Sequence, residues 1–160
     1  MPYITNKKFM NINTDKGKRV EIVFIEDSPE DADLALRSFE KYNIVNEVKL
    51  IDDGQLALDY LIGQESGLKN GKVPLPKLIL LDLKLPKVSG LEILAKIKTD
   101  DTLKSVPVVV MTSSSEDMDI RQAYALGANS YVVKPLNFVK FAEAIRQLGM
   151  YWLVLNQPVQ

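Results

Sequence analysis

The sequence predicts an α/β fold: a doubly wound, five-stranded parallel sheet in the flavodoxin-like order 2-1-3-4-5, with helices on both faces. Three observations carry this. Short apolar, β-branched runs alternate with segments of helical spacing along the 160 residues, which is the pattern of parallel βαβ units. Two of the runs, KLILLD at 77–82 and VPVVVM at 106–111, lack polar alternation, as central strands buried on both faces do. Capping residues stand where the helices should start.

The elements follow in order. Residues 1–19 are polar and mixed and read as a flexible N-terminal arm. Residues 20–25 (VEIVFI) form the first strand. Ser28 is a good N-cap, Pro29 suits the first helical position, and Asp31 stands where a capping-box acid belongs. Leu34, Leu36 and Phe39 carry that helix to about Tyr42. Residues 47–51 form the second strand, and Asp53 caps a helix with apolar positions at Leu56, Leu58, Leu61 and Ile62. Gly63, Gly67, Gly71, Pro74 and Pro76 mark a long loop at 63–76. After the third strand, Ser89 with Glu92 makes a capping box for a helix through Lys98. Pro107 must sit near the start of the fourth strand, where no ladder hydrogen bond is lost. A fourth helix spans 116–126 and stops at Gly127. Residues 130–133 form the fifth strand. Asn137 caps a last helix to about Trp152, with Phe138, Phe141, Ala142, Ile145, Leu148 and Trp152 on its core stripe.

Composition excludes several chemistries. Lys plus Arg is 20 and Asp plus Glu is 21, a net charge of −1, which lacks the basic excess of a nucleic-acid or anionic-membrane surface. Cysteine and histidine are both absent, so thiolate catalysis, Ser-His-Asp catalysis and His- or Cys-ligated metals are ruled out. No apolar run reaches the ~18 residues of a membrane span, and a cytoplasmic protein is expected.

In open α/β sheets, ligands bind beyond the carboxyl ends of the strands. Strand 1 ends in Glu26 and Asp27, strand 3 in Asp82, strand 4 in Thr112 with Ser113 and Ser114, and strand 5 in Lys134 followed by Pro135. The acids Asp52 and Asp53 after strand 2 lie at the sheet edge and are set aside. In the predicted order the remaining ends gather three carboxylates, a hydroxyl and an ammonium. Crowded carboxylates raise one another's pKa, and a hard divalent cation such as Mg²⁺ relieves this with oxygen ligands alone. The set suits phosphoryl transfer to a carboxylate acceptor.

These residues resemble the receiver (phosphoacceptor) domain of two-component response regulators. The matching features are Glu26 and Asp27 after VFI, Asp82 in LILLDLKLP, Pro86 and Gly90, Thr112 in VVVMTSSS, Tyr131, and Lys134 with Pro135 in YVVKP. The resemblance spans about residues 20–150. The loop before strand 3 and the apolar tail MYWLVL are similar to the small single-domain regulators paired with cyanobacterial phytochromes. The departure is an acidic pair that begins with Glu instead of the commoner Asp.

The resemblance implies a receiver domain at 20–152 with a tail at 153–160, and no output domain after it. It implies that Asp82 accepts a phosphoryl group from a histidine kinase, with a phytochrome-type kinase as the candidate, by self-catalysed transfer and autodephosphorylation. Mg²⁺ is then held by Glu26, Asp27, Asp82 and the backbone carbonyl of Lys84. Thr112 and Lys134 hold the phosphoryl oxygens, and Thr112 with Tyr131 forms the switch. Lys84 and Ser114 flank the path of the attacking water, and the Lys134–Pro135 bond is cis. Two other readings stay open. A phosphohydrolase on the same sheet would need an acid where Lys84 stands, and a phosphorylation-independent pseudo-receiver would not need the intact site. Met150, Tyr151, Leu153, Val154 and Leu155 have no place on the last helix's stripe, so a homodimer through that helix and the tail is expected.

Overall fold

The computed structural model describes residues 19–43 and 47–158. Residues 1–18 of the expected arm lie outside the described residues. The strands are β1 (Ile22–Ile25), β2 (Val48–Ile51), β3 (Leu78–Leu81), β4 (Val108–Thr112) and β5 (Ser130–Val133). They form one sheet in the order β2-β1-β3-β4-β5, and every pairing is parallel. The helices are α1 (Pro29–Tyr42), α2 (Gly54–Ile62), α3 (Gly90–Thr99), α4 (Asp117–Ala125) and α5 (Phe138–Gly149). Among the described residues no helix is long and apolar enough to cross a membrane.

The unbroken apolar runs are explained by two cores. Successive side chains of a strand point to opposite faces. On one face Val23, Ile25, Ile79, Leu81, Val108 and Val110 pack against Leu58 and Leu61 of α2 and Ile93, Leu94 and Ile97 of α3. On the other, Ile22, Phe24, Leu78, Leu80, Val109 and Met111 meet Ala32, Ala35, Leu36 and Phe39 of α1 with Phe141 and Ile145 of α5. Both faces are covered, so neither set could be polar.

The helix starts form as their caps dictate. Ser28, Asp53, Ser89 and Asn137 each accept a hydrogen bond from a backbone N–H of the helix that follows. Gly90 fixes how α3 meets the end of β3. A Cβ there would lie 2.3 Å from the carbonyl oxygen of Asp82 and 2.5 Å from Cα of Leu83. Only glycine allows this approach, and its N–H donates to the Leu83 carbonyl at 2.9 Å.

Three expectations are corrected. Leu56 is 56% exposed, because α2 buries Gly54, Ala57, Leu58 and Leu61, a stripe that Leu56 falls outside. Phe138 is 76% exposed: it opens α5 at the sheet's rim, beyond the strands that the stripe covers. The last helix does not run as an α-helix to Trp152. It leaves α geometry at Gly149 and continues as a π-helical turn, Met150–Leu155. The wider turn is closed by Asn156 N–H on the Tyr151 carbonyl at 2.6 Å. It carries Leu153 into the α1–α5 core, with Trp152 half-buried beside it, and leaves Met150, Tyr151, Val154 and Leu155 exposed. The loop between α2 and β3 is anchored where Ser66 is buried and donates to the Tyr60 carbonyl at 2.7 Å.

Candidate functional site

Backbone pairing alone brings the strand ends together. Glu26 N–H donates to the Ile51 carbonyl at 3.0 Å, Asp82 N–H to the Ile25 carbonyl at 3.0 Å, and Lys134 N–H to the Thr112 carbonyl at 2.7 Å. Each residue therefore completes the ladder past the last strand position, and its side chain emerges at the carboxyl edge. Glu26, Asp82 and Thr112 are buried there, and Asp27 is exposed. Glu26, Asp27 and Asp82 each offer a carboxylate oxygen within 4.8 Å of the others.

Lys134 sits among the acids. Its ammonium donates to Glu26, to Asp31 at 2.8 Å and to Asp82 at 3.1 Å. The other Asp82 oxygen accepts the Lys84 N–H at 3.2 Å. Burial raises the Asp82 carboxyl, but the Glu26 carboxyl beside it, the Lys134 charge and the Lys84 N–H outweigh it, and the group lies below its ordinary range. Asp82 is therefore an ionised carboxylate. Burial lowers Lys134, but its three acidic partners raise it further, and it stays charged. Glu26 is the group left over. Burial, then Asp82 beside it, push its carboxyl up to about 9. Lys134 opposes the rise, but one ammonium is shared by three carboxylates.

The arrangement fits a divalent cation. Glu26 Oε2 is buried and has no hydrogen-bond partner, and it belongs to a cluster of oxygen donors with an excess of negative charge. Hard cations take such ligands. Among the described residues the cluster could hold a metal through Glu26, Asp27 and Asp82.

Asp31 is the site residue that sequence reasoning missed. Its N–H does meet the Ser28 cap at 3.3 Å, but its carboxylate crosses to Lys134 instead of serving the capping box. The available signal was its place in the first turn of α1, four residues after Asp27. The excluded pair behaves otherwise: Asp53 caps α2 through Gln55 and Leu56 N–H and pairs with Lys87 at 2.9 Å.

The remaining expected residues follow β3 or lie along and just past β4 and β5. The Tyr131 hydroxyl donates to the Ser114 carbonyl at 2.9 Å, two residues past Thr112, and its ring packs against the α2–α3 core. Ser114 is buried and donates its hydroxyl to Asp119 at 2.5 Å, whereas Lys84 is exposed. The Lys134–Pro135 bond is trans, since no cis peptide occurs among the described residues. Trans is the lower-energy isomer even before proline, and three carboxylates hold Lys134 in place without the cis bond.

A buried carboxylate, a lysine and a metal-binding acid cluster on one edge of a 2-1-3-4-5 sheet define a class of phosphoacceptor signalling domains. The chain belongs to the response regulator receiver domain family, which it matches over residues 22–146. It is 38% identical over 154 residues to the "probable methanogenesis regulatory protein FilR2" of Methanothrix harundinacea, covering 92% of this chain and 97% of that one. It is 36% identical over 132 residues to response regulator Rcp1 of Synechocystis sp., covering 82% and 88%. The Mn²⁺-bound form of response regulator Rcp1 superposes with a TM-score of 0.79 at 34% identity, over 89% of this chain and 100% of that one. The phosphorylated cyanobacterial phytochrome response regulator RcpA does so with a TM-score of 0.80 at 34% identity, over 89% and 100%. The protein is thus a two-component response regulator.

Proposed function

We propose that Asp82 is the phosphoacceptor and that the donor is a phosphohistidine on a separate histidine kinase. The observation that carries this is the ionised, buried Asp82 carboxylate with the Lys134 ammonium 3.1 Å away. In the transfer, an Asp82 oxygen forms the new bond to phosphorus as the nitrogen–phosphorus bond of the donor breaks. The imidazole nitrogen leaves with the electron pair. This chain has no histidine, so the donor is another molecule. Lys134 and Thr112 bind and orient the phosphoryl oxygens, and Lys84, exposed two residues after Asp82, shields the acyl phosphate from water.

Glu26, Asp27, Asp82 and the backbone carbonyl of Lys84 would hold Mg²⁺. The cation would neutralise the charge that collects on the phosphoryl oxygens. The similarity to Rcp1, which has an Mn²⁺-bound form, supports a divalent ion as ligand.

Thr112 and Tyr131 form the switch, with Tyr131 leaving the Ser114 carbonyl and re-seating when Thr112 closes on the phosphoryl group. That biases a two-state element at the β4–β5 edge. Residues 20–152 act as the receiver unit, and the tail from 153 joins α5 in a homodimer interface. Exposed Tyr151, Val154 and Leu155 support that interface, and the likeness to RcpA supports a phytochrome-type kinase as partner. The test is labelling by acetyl phosphate or a phosphohistidine kinase: Asp82→Asn loses the label and keeps the fold. A variant labelled at the wild-type level refutes the assignment.

A further inference from the structure

We propose that Asp31 is a positioning residue of this site: it holds Lys134 in place before phosphorylation and is the partner that releases it when a phosphoryl group arrives. The inference rests on Asp82 being the acceptor.

An ammonium has three N–H donors and no acceptor. All three donors of Lys134 are in use, on Glu26, on Asp31 at 2.8 Å and on Asp82 at 3.1 Å. A phosphoryl oxygen on Asp82 can reach Lys134 only when one contact is given up. The Glu26 and Asp82 side chains are 0% and 8% exposed, and freeing either leaves a buried oxygen without a donor that water cannot replace. The Asp31 side chain is 36% exposed, so water replaces the lysine there at little loss. Asp31 is the contact that yields.

Its backbone cannot follow Lys134. Pro29 opens the helix and Ser28 accepts the Asp31 N–H, which fixes the first turn. The carboxylate therefore stays at the mouth of the site as a fixed negative charge. It aims the ammonium across the strand ends, then competes with the incoming anion for it. The effect is to raise the donor concentration that the site needs.

Initial labelling rates over a range of acetyl phosphate, with Mg²⁺ present, test this in wild type, D31N, D31E and D82N. The half-saturating donor concentration should fall about twofold to fivefold in D31N. D31E keeps the charge and should restore the wild-type value. The difference should shrink in high salt, because the Asp31 carboxylate is partly solvated. Equal half-saturation in wild type and D31N overturns the proposal, as does D31E matching D31N. Labelling that persists in D82N overturns the acceptor assignment and this role with it. Labelling lost in D82N but unchanged by D31N leaves the acceptor standing and removes the role of Asp31 alone.

Discussion

Glu26 makes the stability of this protein depend on pH across the neutral range. Its carboxyl is held at about 9 against an ordinary 4.5 by burial and by Asp82. Between those values the folded state keeps a proton that the unfolded state has lost. The folded state then binds more protons, so stability falls as pH rises, beginning above 4.5 and ending near 9. The slope is about 1.4 kcal/mol per pH unit. From about pH 5.5 to 8.5 the metal-free protein should lose about 4 kcal/mol, a large part of the ~5–15 kcal/mol of a typical domain. Lys49 and Lys98 are lowered by burial and act in the opposite sense, equally in wild type and in Glu26→Gln. The chain has no histidine or cysteine. Asp82 is lowered, so its contribution is lost only below 3.8, and Lys134 is raised, so its contribution is lost only above 10.5.

A cation taken up by the carboxylates replaces the proton, so Mg²⁺ should stabilise the protein more at high pH than at low. Urea unfolding followed by circular dichroism, in EDTA and in Mg²⁺ across this range, measures both slopes. Glu26→Gln, which cannot ionise, should flatten the EDTA curve and remove most of the Mg²⁺ effect. Wild type equally stable at both ends of the range in EDTA refutes the reasoning, as does a Glu26→Gln variant with the wild-type slope.

Other substitutions give separate outcomes. Asp27→Ala removes an exposed oxygen donor and should abolish most of the Mg²⁺-dependent rise in melting temperature, read by thermal unfolding. Gly90→Ala places a methyl 2.3 Å from the Asp82 carbonyl oxygen; it should destabilise the fold by about 1–3 kcal/mol and displace Asp82, the proposed acceptor, seen as a lower urea midpoint and slower labelling. Tyr151→Glu with Leu155→Glu charges two exposed positions of the π-helical turn while sparing buried Leu153. Sedimentation should show a dimer for wild type and a monomer for the variant, and a monomeric wild type at tens of micromolar removes the interface.

The sequence by itself determined the sheet. Runs such as LILL and VVVMT have no polar position, and a strand with both faces apolar fits only between two helical layers. The caps and Gly127 marked the helix ends, because orphaned N–H groups and a positive φ of 105° admit few residue types. Strand order then placed Glu26, Asp27, Asp82, Thr112 and Lys134 on one edge. Tertiary structure alone decided what depends on distances between segments far apart in sequence. Asp31 reads as a cap because its local environment is a helix start; its contact with Lys134 spans 103 residues. The exposure of Leu56 and Phe138 and the burial of Leu153 were settled by which surface the sheet had left to cover. Helical spacing counts apolar positions on one element, and it carries no information about where the opposing layer ends.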